Sequence, residues 1–256
     1  MPLTPGVQPY RWLARYYDEF FSSFRSPIDA ARKRLLRRII PRVGTACDLA
    51  CGTGTTALAL ARQGITVYAV DLSPVMCRLA RKKAKRAGVT MHVLQADIRS
   101  FRLPHAVDLV TCEYDALNHV PRQADLRKVA RAVARALRAG GHFFFDVNNS
   151  LGFERYWTGA VWLERPGVVV GMRNGHSPKA DRAWSDVEWF IQRGELWRRY
   201  HERVEEVCWD PGEIRLTFQE AGFDQVKAWD AAPFFKKNAL IEPGCRTVYL
   251  ARKAQS

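Results

Sequence analysis

The chain predicts an α/β fold: a doubly wound, seven-stranded, mostly parallel sheet with an antiparallel β lid inserted after the fifth strand. Three observations predict it. From Thr45 to Val147, apolar runs of strand length alternate with helix-period segments, and strands that are apolar throughout are buried on both faces, as parallel strands are. The stretch Cys47 to Gly64, CDLACGTGTTALALARQG, passes from a strand through Gly52-Thr53-Gly54 into a helix, a layout that turns backbone N–H groups toward a small ligand. After Asn149 the pattern changes: six of the eight tryptophans fall within 150–210, and Val187, Trp189 and Ile191 alternate with polar neighbours, the period of an antiparallel strand.

Taken in order, residues 1 to 9 are a loose tail with three prolines. Aromatics at 10, 12, 16, 17, 20, 21 and 24 predict an amphipathic helix from Tyr10 to Phe24, one that could also lie across a ligand cleft. A basic helix follows from Ile28 to Ile40, with Pro27 in its first turn and Pro41 as its stop. The first strand is Thr45 to Leu49 and its helix Thr55 to Gln63, ended by Gly64. The second strand, Thr66 to Val70, ends in Asp71; Ser73 caps the next helix, with Pro74 at its first position and Gly88 beyond its end. Strands at Thr90 to Gln95 and Val107 to Cys112 precede an arginine-faced helix ending at Gly140-Gly141, with Arg127, Arg131, Arg135 and Arg138 at helical spacing. The fifth strand is His142 to Val147. Beyond the insert come a helix from Pro211 to Ala221 and strands at Phe223 to Trp229 and Arg246 to Ala251. The expected organisation is an N-terminal helical cap (1–42), a ligand-binding domain (43–149 and 211–256) and the lid (150–210), which serves a substrate or a dimer contact.

A hydrophobic fraction of 47% suits a sizeable core. No run of about 18 apolar residues predicts a membrane span, and MPLTPGVQPYRW lacks the apolar segment of a secretory signal, so a cytoplasmic protein is expected. Six cysteines without a CxxC pair read as reduced thiols rather than a metal site. The net charge of +14 is first a set of solvated helix faces, and second a surface for an anionic substrate or RNA.

Gly52-x-Gly54-x-x-Ala57 with Asp71 downstream matches the dinucleotide fingerprint. Asp48, four residues before the first glycine, separates the possible ligands. A carboxylate at the mouth of the cradle repels a pyrophosphate but attracts the sulfonium and ammonium of S-adenosylmethionine. A structural carboxylate that bonds turn amides is the alternative reading of Asp48.

DLACGTG, VYAVDLSPVM, LQADIRSF, VDLVTCEYDALNHV and LRAGGHFFFDV, in that order, resemble the motifs of class I S-adenosylmethionine-dependent methyltransferases over about residues 43 to 149. YYDEFF, the SPVM turn, the DALNHV loop and the insert resemble the small-molecule members, including sugar-amine N-methyltransferases. The resemblance implies a Rossmann-like fold, S-adenosylmethionine as cofactor and a set of site residues. Ala50, Gly52, Thr53 and Gly54 form the turn around the cofactor, with Asp48 beside it. Asp71 accepts from the ribose hydroxyls, Leu72 and Met76 flank the adenine, and Asp97 and the Ile98 amide meet its polar edge. Glu113, or its backbone, lies where the methionyl amine is met, and Tyr10 and Tyr17 close over the cofactor. Core packing is the alternative for both tyrosines.

His119 is the candidate general base, with a surface or capping histidine as the alternative reading, and the nearby Asp115 and Asn118 are candidates for positioning the acceptor. Trp157 and Trp189 are candidates for an aromatic or cationic acceptor, or else form the core of the small sheet or a dimer face. The expected partner is a small-molecule acceptor, with the chain a monomer or homodimer. An RNA methyltransferase, a non-catalytic cofactor-binding subunit and, more distantly, a nicotinamide oxidoreductase are the alternatives.

Overall fold

The computed structural model of the chain describes residues 12–21, 26–234 and 242–255. Helices α1 (Leu13–Phe21) and α2 (Ser26–Leu35) come first. The alternation then runs β1 (Thr45–Leu49), α3 (Thr55–Ala61), β2 (Thr66–Asp71), α4 (Pro74–Ala87), β3 (His92–Gln95), β4 (Val107–Cys112), α5 (Gln123–Ala136) and β5 (Leu137–Asn148). Helix α6 (Ser150–Tyr156) leads into β6 (Ala160–Arg165), β7 (Val168–Ser177), β8 (Arg182–Arg193) and β9 (Leu196–Val207). Helix α7 (Pro211–Glu220), β10 (Phe223–Asp230) and β11 (Arg246–Lys253) complete the order.

The main sheet has seven strands in the order β10-β11-β5-β4-β1-β2-β3, with β11 antiparallel to both of its neighbours. Strand order reverses where β1 sits between β2 and β4, so the crevice outside the carboxyl ends of β1 and β4 is the place for a ligand. One face of the sheet is covered by a core that includes Leu126, Val129 and Val133 of α5 and Ile214 and Phe218 of α7. The other packs against Ile28 and Ala31 of α2 and Ala57 and Leu60 of α3. Strands β6 to β9 form a separate antiparallel sheet in sequence order.

Local chemistry sets most boundaries where the sequence puts them. Ser73 caps α4 by accepting from the Met76 N–H, and Gly88 ends it in the left-handed conformation at φ 66°. Other boundaries differ, as where β3 starts at His92 and β11 runs on to Lys253. The basic helix stops at Leu35, and Pro41 falls inside a 3-10 turn at Ile40–Arg42; a missing N–H is harmless at that position. Helix α3 ends at Ala61, two residues early. The arginine-faced helix ends at Ala136, and Leu137 is already extended. Between the pairs Val107↔Leu137 and Leu109↔His142 the β5 chain carries extra residues, a bulge that places Arg138 on a strand rather than a helix. Gly141 lets this bulge lie close to β4: a Cβ there would come within 3.2 Å of the Asp108 carbonyl oxygen.

The small sheet has its own core of Val168, Val170, Val187, Trp189 and Ile191, closed by Phe20 from α1. The Tyr16 ring stacks on Trp189 at 5.6 Å, and Trp12 stacks on Tyr200 at 3.6 Å. Helix α1 is therefore the second layer of the lid, which explains its aromatic stripe. No helix among the described residues is long and apolar enough to cross a membrane.

Candidate active site

The glycine turn joins β1 to α3 at the crevice. Ala50, Gly52 and Gly54 have φ of 49°, 54° and 78°, a tight left-handed path that glycine takes without strain and alanine does not. A Cβ on Gly52 would meet nothing within 4 Å, so open space lies beside this backbone. Asp71, at the carboxyl end of β2, organises the rim: its two oxygens accept from Gly52 N and Ser73 N, both at 2.8 Å. Burial pushes its carboxyl above the ordinary range while the two amides oppose this. Leu72 beside it is 53% exposed, and Met76 is buried in the first turn of α4.

Asp48 takes the structural alternative. It is buried, and its oxygens accept from Ala57 N at 3.0 Å and the Thr111 hydroxyl at 2.7 Å. The carboxylate thus pins the glycine turn between α3 and β4. Burial pushes it up to about 6, opposed by the Thr111 hydrogen bond, Arg32 and the Ala57 amide. The folded state therefore holds a proton that the unfolded chain releases at lower pH. The resulting stabilisation is present below the ordinary carboxylate range and is lost as pH rises through about 6. Asp48→Asn can keep both bonds. It should remove that pH dependence of the melting temperature between roughly pH 4 and 6 and leave S-adenosylhomocysteine affinity within about threefold. A tenfold loss of affinity with a normal melt would restore the direct contact with the cofactor's positive groups.

Thr53 turns away from the crevice. Its hydroxyl donates to Asp18 at 2.7 Å and accepts from Lys83 at 2.8 Å, and Asp18 and Lys83 pair at 2.8 Å. Through this triad the turn anchors α1. At the other end of α1, Trp12 N donates to the buried Glu202 carboxylate of β9. Tyr17 packs against the small-sheet core between these anchors; Tyr10 lies outside the described residues. Asp97 is gripped by Arg99, whose hydrogen bonds hold it below the ordinary carboxylate range. Ile98 packs against the main core.

At the end of β4, Glu113 is buried. One oxygen accepts from Arg32 Nη1 and from the Thr56 hydroxyl, while Oε1 is buried without a hydrogen-bond partner. Burial pushes this carboxyl up to about 8, and Arg32 pulls it back. Burial also works against the charge on Arg32, yet Glu113 and Asp29 hold the guanidinium above its ordinary range. Arg32 was invisible as a site residue within a basic run. The available signal was its place four residues after Ile28, on the helix face that is buried.

Tyr114 and Asp115 follow with φ of 61° and 54°. This strained pair is held by Asp146, which accepts from Tyr114 N at 2.8 Å and Asp115 N at 3.0 Å. Arg246 balances Asp146, with Nε at 2.7 Å, and its Nη2 lies 3.5 Å from Asp115. Asn148 Nδ2 donates to Asp115 at 2.5 Å and to Glu206 of β9 at 3.3 Å. Burial and then the Asp115 charge push Glu206 well above the ordinary carboxylate range. Asn148, Glu206 and Arg246 come from residues far apart in the chain, and only their meeting at this loop marks them.

Two sequence expectations fail here. Asn118 is fully buried, and its amide is spent on the backbone: Nδ2 donates to the carbonyls of Asn148 and Val207, and Oδ1 accepts from Asn148 N. It ties the lid to the main sheet and has no side chain left for an acceptor. Trp189 is fully buried in the lid core, so the period that revealed the strand also buried its ring. Trp157 is half-buried against Phe153 at the end of α6. His119 is half-buried, with Nδ1 3.2 Å from the Glu205 carbonyl. A carbonyl only accepts, so the neutral ring donates from Nδ1 and carries its lone pair on Nε2.

The crevice fits S-adenosylmethionine. It offers open space at Gly52, a carboxylate at the tip of β2, an exposed Leu72 and the orphaned Glu113 oxygen, an acceptor suited to an ammonium. Comparison with known proteins agrees. Residues 46–141 match a family model described as a methyltransferase domain. YqeM of Bacillus subtilis (strain 168), a methyltransferase by name, is 26% identical over 84% of this chain and 86% of its own length. The ubiquinone biosynthesis O-methyltransferase of Pectobacterium atrosepticum is 35% identical over 59% of this chain and 57% of its own. Among solved structures, the sugar N-methyltransferase KedS8 from Streptoalloteichus shares the fold at a TM-score of 0.79 and 20% identity, covering 99% of this chain and 97% of its own. CalS10, an amino pentose methyltransferase from Micromonospora echinaspora solved with S-adenosylmethionine bound, shares it at 0.67 and 22%, covering 99% and 100%. The motif order, the domain match over residues 46–141 and the shared fold converge on an S-adenosylmethionine-dependent methyltransferase.

Proposed function

We propose that the enzyme methylates nitrogen or oxygen of a small-molecule acceptor held between the carboxyl ends of β4 and β5 and the four-stranded lid. The observation that carries this reading is the tie between α1, the glycine turn and the lid. Helix α1 is bonded to the glycine turn through Asp18 and to β9 through Glu202, and an acceptor site closed by α1 and the lid would suit a small molecule better than a polymer. In this reading residues 43–149 and 211–256 hold the cofactor, and 150–210 cover the acceptor.

S-adenosylmethionine supplies a methyl group already activated on a sulfonium, so the protein's task is alignment and exclusion of water. Asp71 would take the ribose hydroxyls, and Leu72 and Met76 the adenine faces. Asp97 and the Ile98 N–H would meet the adenine edge, and Glu113 Oε1 the methionyl ammonium. Asp115 or His119 Nε2 would take a proton from an acceptor hydroxyl or ammonium. Loss of Asp71 unpairs two turn amides as well as the ribose. Asp71→Ala should therefore weaken S-adenosylhomocysteine binding about 100-fold, near 3 kcal/mol. Calorimetry checks this, and unchanged affinity would remove the ribose assignment.

The function is tested by transfer of labelled methyl groups to amino sugars, phenols and bulk tRNA in parallel. Label in an amine or phenol fraction supports the reading. Label confined to tRNA refutes it.

A further inference from the structure

The far end of the main sheet holds a cavity of about 460 Å³, at the amino ends of β1, β4 and β5. It lies one strand length, roughly 17 Å, from the crevice, so neither cofactor nor acceptor chemistry accounts for it. Four arginines line it from three elements: Arg38 and Arg42 around the 3-10 turn, Arg138 on the β5 bulge and Arg252 on β11.

The carboxylates here are few and already engaged. Asp108 accepts from Gly44 N at 2.6 Å, Thr45 N at 3.0 Å and Arg138 Nε at 2.9 Å. Asp224 pairs with Arg252 at 2.7 Å. Arg38 and Arg42 are exposed and have no ion-pair partner among the described residues. Two uncompensated guanidiniums over a concave floor with two paired ones make a focused positive potential. His142, on the same wall, is lowered by burial and then by Arg252 and Arg138, which reports the same field. The bulge is what brings Arg138 there, and bulges commonly re-aim side chains at sites.

We infer that this cavity is a second binding site, for a small molecule bearing a diphosphate. Guanidiniums match phosphate oxygens bidentately, and 460 Å³ is the size of a small-ligand pocket. A polymer would need an extended basic track. The arginine-faced helix adds little to one: Arg127 pairs with Glu220, Arg135 donates to the Phe101 carbonyl, and Arg122 and Lys128 hold Asp125, which leaves Arg131 as its one exposed arginine without an ion pair or side-chain hydrogen bond among the described residues.

The test is calorimetric titration of the full chain with inorganic pyrophosphate, with S-adenosylhomocysteine saturating the crevice. We expect saturable one-to-one binding that weakens at least tenfold in Arg38→Glu/Arg42→Glu. S-adenosylhomocysteine affinity should be unchanged in that variant, since both side chains are exposed and far from the crevice. Arg38→Lys/Arg42→Lys should retain binding in part, because charge remains without the bidentate fork. No saturable binding at millimolar pyrophosphate overturns the inference, as does binding indifferent to the charge reversal. Bulk tRNA that binds with steep salt dependence, loses affinity in the same variant and displaces pyrophosphate also overturns it, in favour of a nucleic-acid surface.

Discussion

Asp146→Ala should cost about 3–5 kcal/mol of stability and abolish methyl transfer. Asp146 is fully buried and serves three donors at once: the amides of Tyr114 and Asp115 and the Arg246 guanidinium. Burial pushes its carboxyl up and Arg246 pulls it back, so the pair stands as a unit. Without it, Arg246 keeps only the longer 3.5 Å pair with Asp115 in a buried site, and the left-handed Tyr114-Asp115 step loses both hydrogen bonds that hold it. At about 2–4 °C per kcal/mol for a chain of this size, the melting temperature should fall on the order of 10 °C. Asp146→Asn retains one acceptor and should fall less. A melt within about 2 °C of the native protein for the alanine variant would mean that the loop is held by something else.

The second large effect belongs to the Arg32–Glu113 pair, and it has a sign in pH. Glu113 already sits high, at about 8, with Arg32 against it. Removing the guanidinium as Arg32→Met leaves burial unopposed and raises the carboxyl further. An acid whose folded value exceeds its unfolded value stabilises the fold while protonated, and that contribution is lost as pH rises through the folded value. Arg32→Met should therefore track the native protein up to about pH 8 and fall below it above that, by about 1.4 kcal/mol or roughly 3–6 °C near pH 9. Adding Glu113→Gln should flatten the profile, because no group remains to ionise. Parallel pH profiles for the native and Arg32→Met proteins would rule out the clamp.

Much of the architecture is legible in the sequence because it rests on short-range rules. Alternating apolar runs, Gly52-x-Gly54, the Ser73-Pro74 cap and Gly88 each act within a few residues, and each does in the fold what local chemistry predicts. The order of motifs was enough for the cofactor class. The period of Val187, Trp189 and Ile191 was enough for the lid.

The roles of individual polar side chains were not legible in the same way, since a carboxylate or amide takes its role from donors that arrive from elsewhere. Asp48 meets Thr111 across 63 residues, Arg32 meets Glu113 across 81, and Arg246 meets Asp146 across 100. Sequence spacing placed Asp48, Asp71, Asp97, Glu113, Asp115 and Asp146 at strand ends, where chemistry happens. Packing then made Asp48 and Asp146 braces, left an oxygen of Glu113 without a partner, and turned Asn118 and Trp189 from acceptor candidates into internal ties. Periodicity fixes which way a residue faces along its own element. Whether that face meets solvent, ligand or another part of the chain depends on contacts that only the folded chain creates.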